Sequence, residues 1–266
     1  MLALGLEDLP SDRIMDDVDR ALQKLCGIQT IRYSGKLGHV YHVNDLAAII
    51  AQEMANTTTH QNLHFFPEDT GPSLSQAWQA SRWLHELDSD LTTPMIRIRN
   101  QDFYINEPTL LSNGKVCLPS RWFKRGDKTF AQAWKMHELL STDPKSRSGW
   151  VIEGDKEFEV CETELLVSFP ILASSFVSRK ILDPRIILGI QLNGQITKWT
   201  KTNPSEGNRW RKLSAGHRVL AFPIWLYCDD TSGNTSKKWN KHNSFLFTAA
   251  GLPRKFVHRE SNIHFL

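Results

Sequence analysis

An α+β fold is what the sequence predicts: amino-terminal helices with a hairpin, a central β-rich small sheet or partial barrel, and a carboxy-terminal β-hairpin. Three observations carry this. Apolar residues recur at helical spacing near the start, short β-prone runs between glycine turns fill the middle, and near the end an apolar run closing on two aspartates precedes a second apolar run. A chain of 266 residues, 40% apolar and 23% charged, is long enough for one large or two smaller cores.

Ser11 is placed to cap a helix running to about Cys26, because Ile14, Met15, Val18, Ala21, Leu22 and Leu25 share a face and Gly27 supplies the stop. Ile28–Tyr33 and His39–Val43 then read as strands around a glycine-containing turn. Asn44 is placed to cap a second helix, Asp45 to Ala55, giving a helix, hairpin, helix order that small winged-helix-like units also use. Residues 57–62, TTTHQN, are polar and read as a loop. From Pro72 to Leu87, the positions of Leu74, Ala77, Trp78, Leu84 and Leu87 predict a long amphipathic helix.

From Pro94 to about Phe169 the texture changes to short runs, Met95–Ile98, Asp102–Ile105, Lys115–Leu118, Arg121–Phe123, Trp150–Glu153 and Glu157–Val160. Asn113-Gly114, Arg125-Gly126 and Glu153-Gly154 punctuate them as turns, which suggests a small twisted sheet or partial barrel. The order Phe103-Tyr104, Glu107-Pro108, Arg121-Trp122-Phe123, then Glu162 to Leu165, is similar to barrels of the bromo-adjacent-homology kind, a likeness of architecture that carries no function. Arg185–Leu192 and Gln195–Trp199 read as a strand pair around Asn193-Gly194. The polar stretch 200–218, with Lys201, Arg209, Arg211, Lys212, His217 and Arg218, reads as a basic linker. The expected division is therefore 1–56, 57–200 and 201–266.

Composition and motifs exclude several classes. A net charge of +3, from 32 basic and 29 acidic residues, is too mild for nucleic-acid binding by bulk electrostatics, so any basic surface is local. The amino terminus meets Glu7, Asp8 and Pro10 before a signal-peptide core can form, and no apolar run approaches the roughly 20 residues that span a bilayer. An intracellular protein, nuclear or cytoplasmic and without a membrane, is expected. Cys26, Cys117, Cys161 and Cys228 are too far apart for a disulfide scaffold or paired zinc ligands and are expected as buried, reduced thiols. No phosphate loop, dinucleotide fingerprint or nucleophile elbow occurs, which leaves no small-molecule substrate evident. His39 and His42 would face opposite sides of a strand, and His60 and His64 would need a helix to converge, so surface histidines are expected.

Two features bear on chemistry. Asp229 and Asp230 end an apolar strand, where a carboxylate is held rigidly enough for octahedral magnesium, although acidic residues at strand ends are also ordinary turn formers. Lys198 beside Trp199, the run Arg209, Trp210, Arg211, Lys212, and Lys237 and Lys238 beside Trp239 interleave basic and aromatic groups. Such groups contact phosphates and stack on bases, and a solvated basic face with inward tryptophans is the competing reading.

Residues 223–266 resemble the opening of the catalytic domain in large fungal transposon proteins related to the CACTA and Kyakuja-Dileera-Zisupton transposases. In those proteins a strand ends in an aspartate, a serine- and lysine-bearing turn follows, and a second strand runs into a Gly-Leu-Pro-like corner, here Gly251-Leu252-Pro253. The stretches 64–71, 76–88, 93–98, 102–108, 116–123 and 202–220 resemble the non-catalytic front part of such proteins. The resemblance implies the start of a ribonuclease-H-like fold with Asp229 or Asp230 as the first metal-binding position; Asp230 is the one followed directly by the turn. It implies Mg2+ only where a complete nuclease site exists. Two-metal chemistry holds ions roughly 4 Å apart with carboxylates on both sides, and Glu260 is the sole acidic residue after Asp230. The expectation is thus a truncated transposase-like protein, catalytically inactive, without a cofactor, and a residual DNA binder. The alternative is a small β-barrel protein-interaction module with no nucleic-acid role.

Overall fold

A computed structural model describes residues 12–143, 146–231 and 242–266. The chain forms two compact units, one from Met1–Leu63 together with Pro223–Leu266, the other from His64–Phe222. In the first unit, α1 (Asp12–Cys26) is the expected amphipathic helix, followed by Gly27 at φ +70°. Ser11, its expected cap, lies outside the described residues. β1 (Thr30–Ser34) and β2 (Val40–Asn44) pair antiparallel as the expected hairpin. The next cap differs by one position. Asn44 ends β2, where its side chain accepts from Thr30 Oγ1 at 2.9 Å, so Asp45 instead accepts from the N–H groups of Ala47 and Ala48 at the head of α2 (Leu46–Ala55). The polar stretch expected as a loop starts with a short helix, α3 (Thr57–His60), because the Asn56 side chain accepts from the N–H groups of Thr58 and Thr59.

The long helix expected over Pro72–Leu87 does not form. A 3-10 turn at Ala77–Gln79 and a π-turn at Arg82–Glu86 flank Ala80, which is extended at ψ +138°. Tertiary bonds explain the break. Trp78 Nε1 and Gln79 Nε2 both donate to Glu68 Oε2 at 3.0 Å, and the His64 ring stacks on Trp78 at 3.9 Å between centroids. The Arg121 guanidinium donates to the carbonyls of Trp83 and Leu87, acceptors of the kind a continuing helix would use itself. Burial holds the His64 imidazole below its ordinary pKa in this packing.

Next comes the hairpin of β3 (Met95–Ile98) and β4 (Gln101–Tyr104). A seven-stranded mixed sheet follows, built from β5 (Thr109–Leu111), β6 (Val116–Arg125), β7 (Lys128–Leu139), β8 (Gly149–Cys161), β9 (Leu165–Val167), β10 (Ile187–Leu192) and β11 (Gln195–Thr197). Its order is β11-β10-β8-β7-β6-β5-β9, with β10 parallel to β8 and the other neighbours antiparallel. The sheet is open, with β11 and β9 at its edges, and is not a closed barrel. α4 (Phe169–Ser175) lies between β9 and β10 in the chain, and α5 (Arg209–Leu213) follows β11.

Several strand boundaries differ from the expected ones. The runs at 115–118 and 121–123 are one strand, β6, in which Pro119 sits at an irregularity where no ladder N–H is needed. The Ser120 hydroxyl there reaches Gln132 O at 3.1 Å and Glu157 Oε1 at 2.7 Å. Glu153-Gly154 is no chain reversal: β8 runs through it, with a register shift opposite Trp134 and Lys135. Gly154 lacks a side chain because a Cβ would come within 2.6 Å of Ile190 on the neighbouring strand.

Strand alternation puts two cores on the sheet. Phe103, Ile105, Leu111, Cys117, Trp122, Ala131 and Leu165 share one with Ile96, so the β3–β4 hairpin packs there. Leu110, Val116, Leu118, Met136, Ile152 and Val167 share the other with Leu172 of α4 and with Trp199.

The chain then returns to the first unit as β12 (Ile224–Thr231) and β13 (His242–Ala249), the expected hairpin, with α6 (Arg254–Val257) and an unanticipated third strand, β14 (His264–Phe265). Asn44 Nδ2 donates to Phe265 O at 3.2 Å, and His264 Nε2 lies 3.1 Å from Glu53 Oε1. The carboxy-terminal strands thus pack with the amino-terminal helices, and residues 201–222 fold with the central unit. The four cysteines are free as expected, but only Cys117 is buried, where burial pushes its thiol up to about 12; Cys26 and Cys228 are exposed. Among the described residues, no helix is long and apolar enough to cross a membrane.

Candidate functional site

Glu107 follows β4 and is 1% exposed. Arg211 Nη2 lies 2.6 Å from its Oε2 and Arg211 Nε 3.0 Å from its Oε1, a two-pronged ion pair. The same guanidinium donates to Asp102 O at 2.8 Å and sits 4.5 Å over the Tyr104 ring. Asn208 contributes from the helix start: its N–H donates to Glu107 Oε1 at 2.8 Å, Nδ2 donates to Ile105 O, and Oδ1 accepts from Trp210 N–H, capping α5. Gly207 at φ +79° makes this approach possible, since a Cβ there would meet Glu107 Oε1 at 2.5 Å. Farther along, Arg97 donates to Gly216 O at 2.8 Å and Ala221 N–H donates to Thr93 Oγ1 at 3.1 Å. The stretch expected as a basic linker is therefore pinned to the β3–β4 region by a buried carboxylate.

Of the four residues expected as a basic-aromatic run, the structure divides the roles. Arg211 is committed to Glu107, while Arg209 and Lys212 are exposed and Trp210 is half-buried. Arg209 lies over the Trp210 ring at 5.3 Å, and Lys201 over Trp134 at 5.3 Å. Lys198, past the end of β11, is exposed next to buried Trp199. Among the described residues, no carboxylate lies within ion-pair distance of Lys198, Lys201, Arg209, Lys212 or Arg218.

Beside α5 is a cleft of about 200 Å3, with Ser89, Asn106, Thr202 and Asn208 in its wall and Lys201, Arg209 and Trp210 around it. A larger hollow of about 690 Å3 lies against β7 and β8, where His137 Nδ1 is 3.2 Å from Glu153 Oε1 and Glu138 Oε1 accepts from Leu182 N–H at 2.7 Å. The smaller cleft is the one beside the pinned segment.

Asp229 and Asp230 lie in the last part of β12, their backbones opposite Ser244 and Asn243 of β13. Lys237 and Lys238 fall outside the described residues. Among the described residues, no three His, Cys, Asp or Glu groups converge as a metal-ligand set. His39 and His42 are exposed, as expected; His60 is exposed in α3, and His64 is the partner of Trp78. What sequence reasoning missed is Glu107. Its visible signal is only an acidic residue shortly after the apolar run Phe103-Tyr104-Ile105, and its partner is 104 positions away.

Residues 95–220 match the model of a family described as a domain of unknown function, DUF8591, a span running from β3 past α5 and so including Glu107, Arg211 and most of the cleft. No curated protein and no solved structure matches the chain.

Proposed function

We propose that this chain is a transposase-like protein, of the fungal transposon kind that its sequence resembles, acting as a non-catalytic module that contacts the DNA backbone. One observation carries the reading: the pinned segment 198–218 presents Lys198, Lys201, Arg209, Lys212 and Arg218 at the surface with no carboxylate partner among the described residues, while Arg211 holds it to Glu107. Fixed, unpaired cations neutralise phosphates without first breaking an ion pair, and each contact releases counterions. By the resemblance, Asp229 and Asp230 are the first acidic position of a ribonuclease-H-like start. They are consecutive on one strand, whereas two-metal cleavage draws carboxylates from separate positions, so contact and not cleavage is the activity proposed.

Binding of a labelled DNA duplex, followed by fluorescence anisotropy across a salt series, tests the contact. A linear fall of log affinity with log salt is expected, and replacing Lys198, Lys212 and Arg218 by alanine should reduce the slope by about 0.9 per lost phosphate contact. Salt-independent binding, or a slope untouched by the triple replacement, would remove the reading. For the second part, supercoiled plasmid incubated with the protein and Mg2+ should stay intact; nicking that Asp230→Asn abolishes would show a working nuclease.

A further inference from the structure

We propose that the hairpin of β1 and β2 is a ribbon that enters the major groove of duplex DNA. The inference rests on the DNA-contact reading and adds a surface in the first unit, whereas segment 198–218 belongs to the second. The starting point is exposure. Thr30 to Ser34 is exposed throughout, and so are Val40, Tyr41 and His42, so that length of the hairpin is bare on both faces. A two-stranded hairpin with neither face covered is marginal in water. What holds this one is its own antiparallel ladder and the Tyr33 ring stacked on Tyr41, with centroids 5.6 Å apart and planes 15° from parallel.

Charge then selects the partner. No aspartate or glutamate occurs between Asp19 and Asp45, whereas Arg32, Lys36, His39 and His42 all fall in that interval. Asp45 is itself engaged by the N–H groups of Ala47 and Ala48. Among the described residues, no carboxylate lies within ion-pair distance of Arg32 or Lys36. Strand alternation sorts the side chains: Arg32 stands opposite His42, on the face of Thr30 and Ser34, while Ile31, Tyr33, Tyr41 and Val43 take the other face. Lys36 and His39 sit in the turn, which Gly38 at φ +81° and the Gly35 N–H bond to His39 O close. The ribbon thus has a basic face, an aromatic face that stiffens it, and a cationic tip. The major groove, about 12 Å wide, admits a two-stranded ribbon and is walled by phosphates. With the basic face toward the groove floor, Arg32 meets the O6 and N7 acceptors of guanine and Lys36 meets a phosphate. A groove contacts both faces of such a ribbon at once, which a flat acidic protein surface does not.

Two duplexes of one G·C-rich sequence, the second with 7-deazaguanine in place of guanine, test this by anisotropy across a salt series. The analogue removes only the N7 acceptor on the major-groove edge. The protein is expected to bind the natural duplex about fivefold tighter than the analogue, and Arg32→Gln to bring that ratio to one. Lys36→Gln should lower the salt slope by about 0.9 and leave the ratio unchanged. Both side chains are exposed, so neither change removes packing, and circular dichroism checks that the fold is retained. Equal affinity for the two duplexes, a ratio that survives Arg32→Gln, or a slope untouched by Lys36→Gln overturns the ribbon. A slope still reduced by the triple replacement in segment 198–218 then leaves the DNA-contact reading standing. Absence of binding to either duplex overturns both.

Discussion

Replacing Arg211 by methionine is expected to destabilise the central unit by about 3–5 kcal/mol, the cost of stranding a buried charge. The geometry sets the size of the effect. Glu107 is 1% exposed, and Arg211 supplies two of the hydrogen bonds its carboxylate accepts, leaving Asn208 N–H at 2.8 Å as the remaining donor. Water has little access to repair the loss. The converse change is milder. In Glu107→Gln the stranded guanidinium, 22% exposed, still donates to Asp102 O and lies over Tyr104, so a loss of about 1–3 kcal/mol is expected. Because removing both charges of a buried pair is often near neutral, the combination Glu107→Leu with Arg211→Met should recover most of the loss. Chemical denaturation followed by tryptophan fluorescence measures all three. An Arg211→Met cost below about 1 kcal/mol would mean that the carboxylate is hydrated and that the pinned segment is held by other bonds.

The same pair shows what the sequence could and could not reveal. Arg211 is legible as part of a basic run, but nothing local says that it differs from Arg209 and Lys212; that difference is made by a carboxylate 104 positions away. Asn106 is similar. Its left-handed backbone is held by the Pro119 and Thr202 contacts, which no window around residue 106 contains. Asp229 and Asp230, by contrast, lie near the strand end, where the apolar run placed them, because hairpin pairing there is local.

Secondary structure divides along the same line. The turn at Asn193-Gly194, with φ of +48° and +80°, was readable because its chemistry is carried by the two residues themselves. β7 was not. Its sequence is rich in helix formers such as Ala131, Ala133, Lys135 and Met136, and the register shift between Trp134 and Lys135 moves the buried positions from 131 and 133 to 136, which erases a simple period of two. The span 72–87 errs in the opposite sense. It has helical periodicity, but Glu68 and Arg121, both outside it, capture its side chains and carbonyls.

Trp122→Ala carries the other large expected effect, a loss of about 3–5 kcal/mol from the central unit. Trp122 is 1% exposed in β6, near the middle of the sheet, and packs with Phe103, Cys117 and Ala131 under the β3–β4 hairpin. Its neighbour Phe123 is also 1% exposed, so the strand is covered on both sides and the cavity has little room to collapse. Whether packing or hydrogen bonding dominates can be separated. Trp122 Nε1 donates to Pro94 O at 3.3 Å, but that carbonyl also accepts from Ile105 N–H at 2.9 Å, so losing the indole bond leaves no buried acceptor stranded. Trp122→Phe should therefore cost about 1–2 kcal/mol, well below the alanine variant. If the two variants proved equally damaging, the indole bond and not the ring's bulk would be what fixes β6. Arg121, one position earlier on the same strand, would then share that role, since its guanidinium holds the carbonyls of Trp83 and Leu87 just before Ser89 of the cleft.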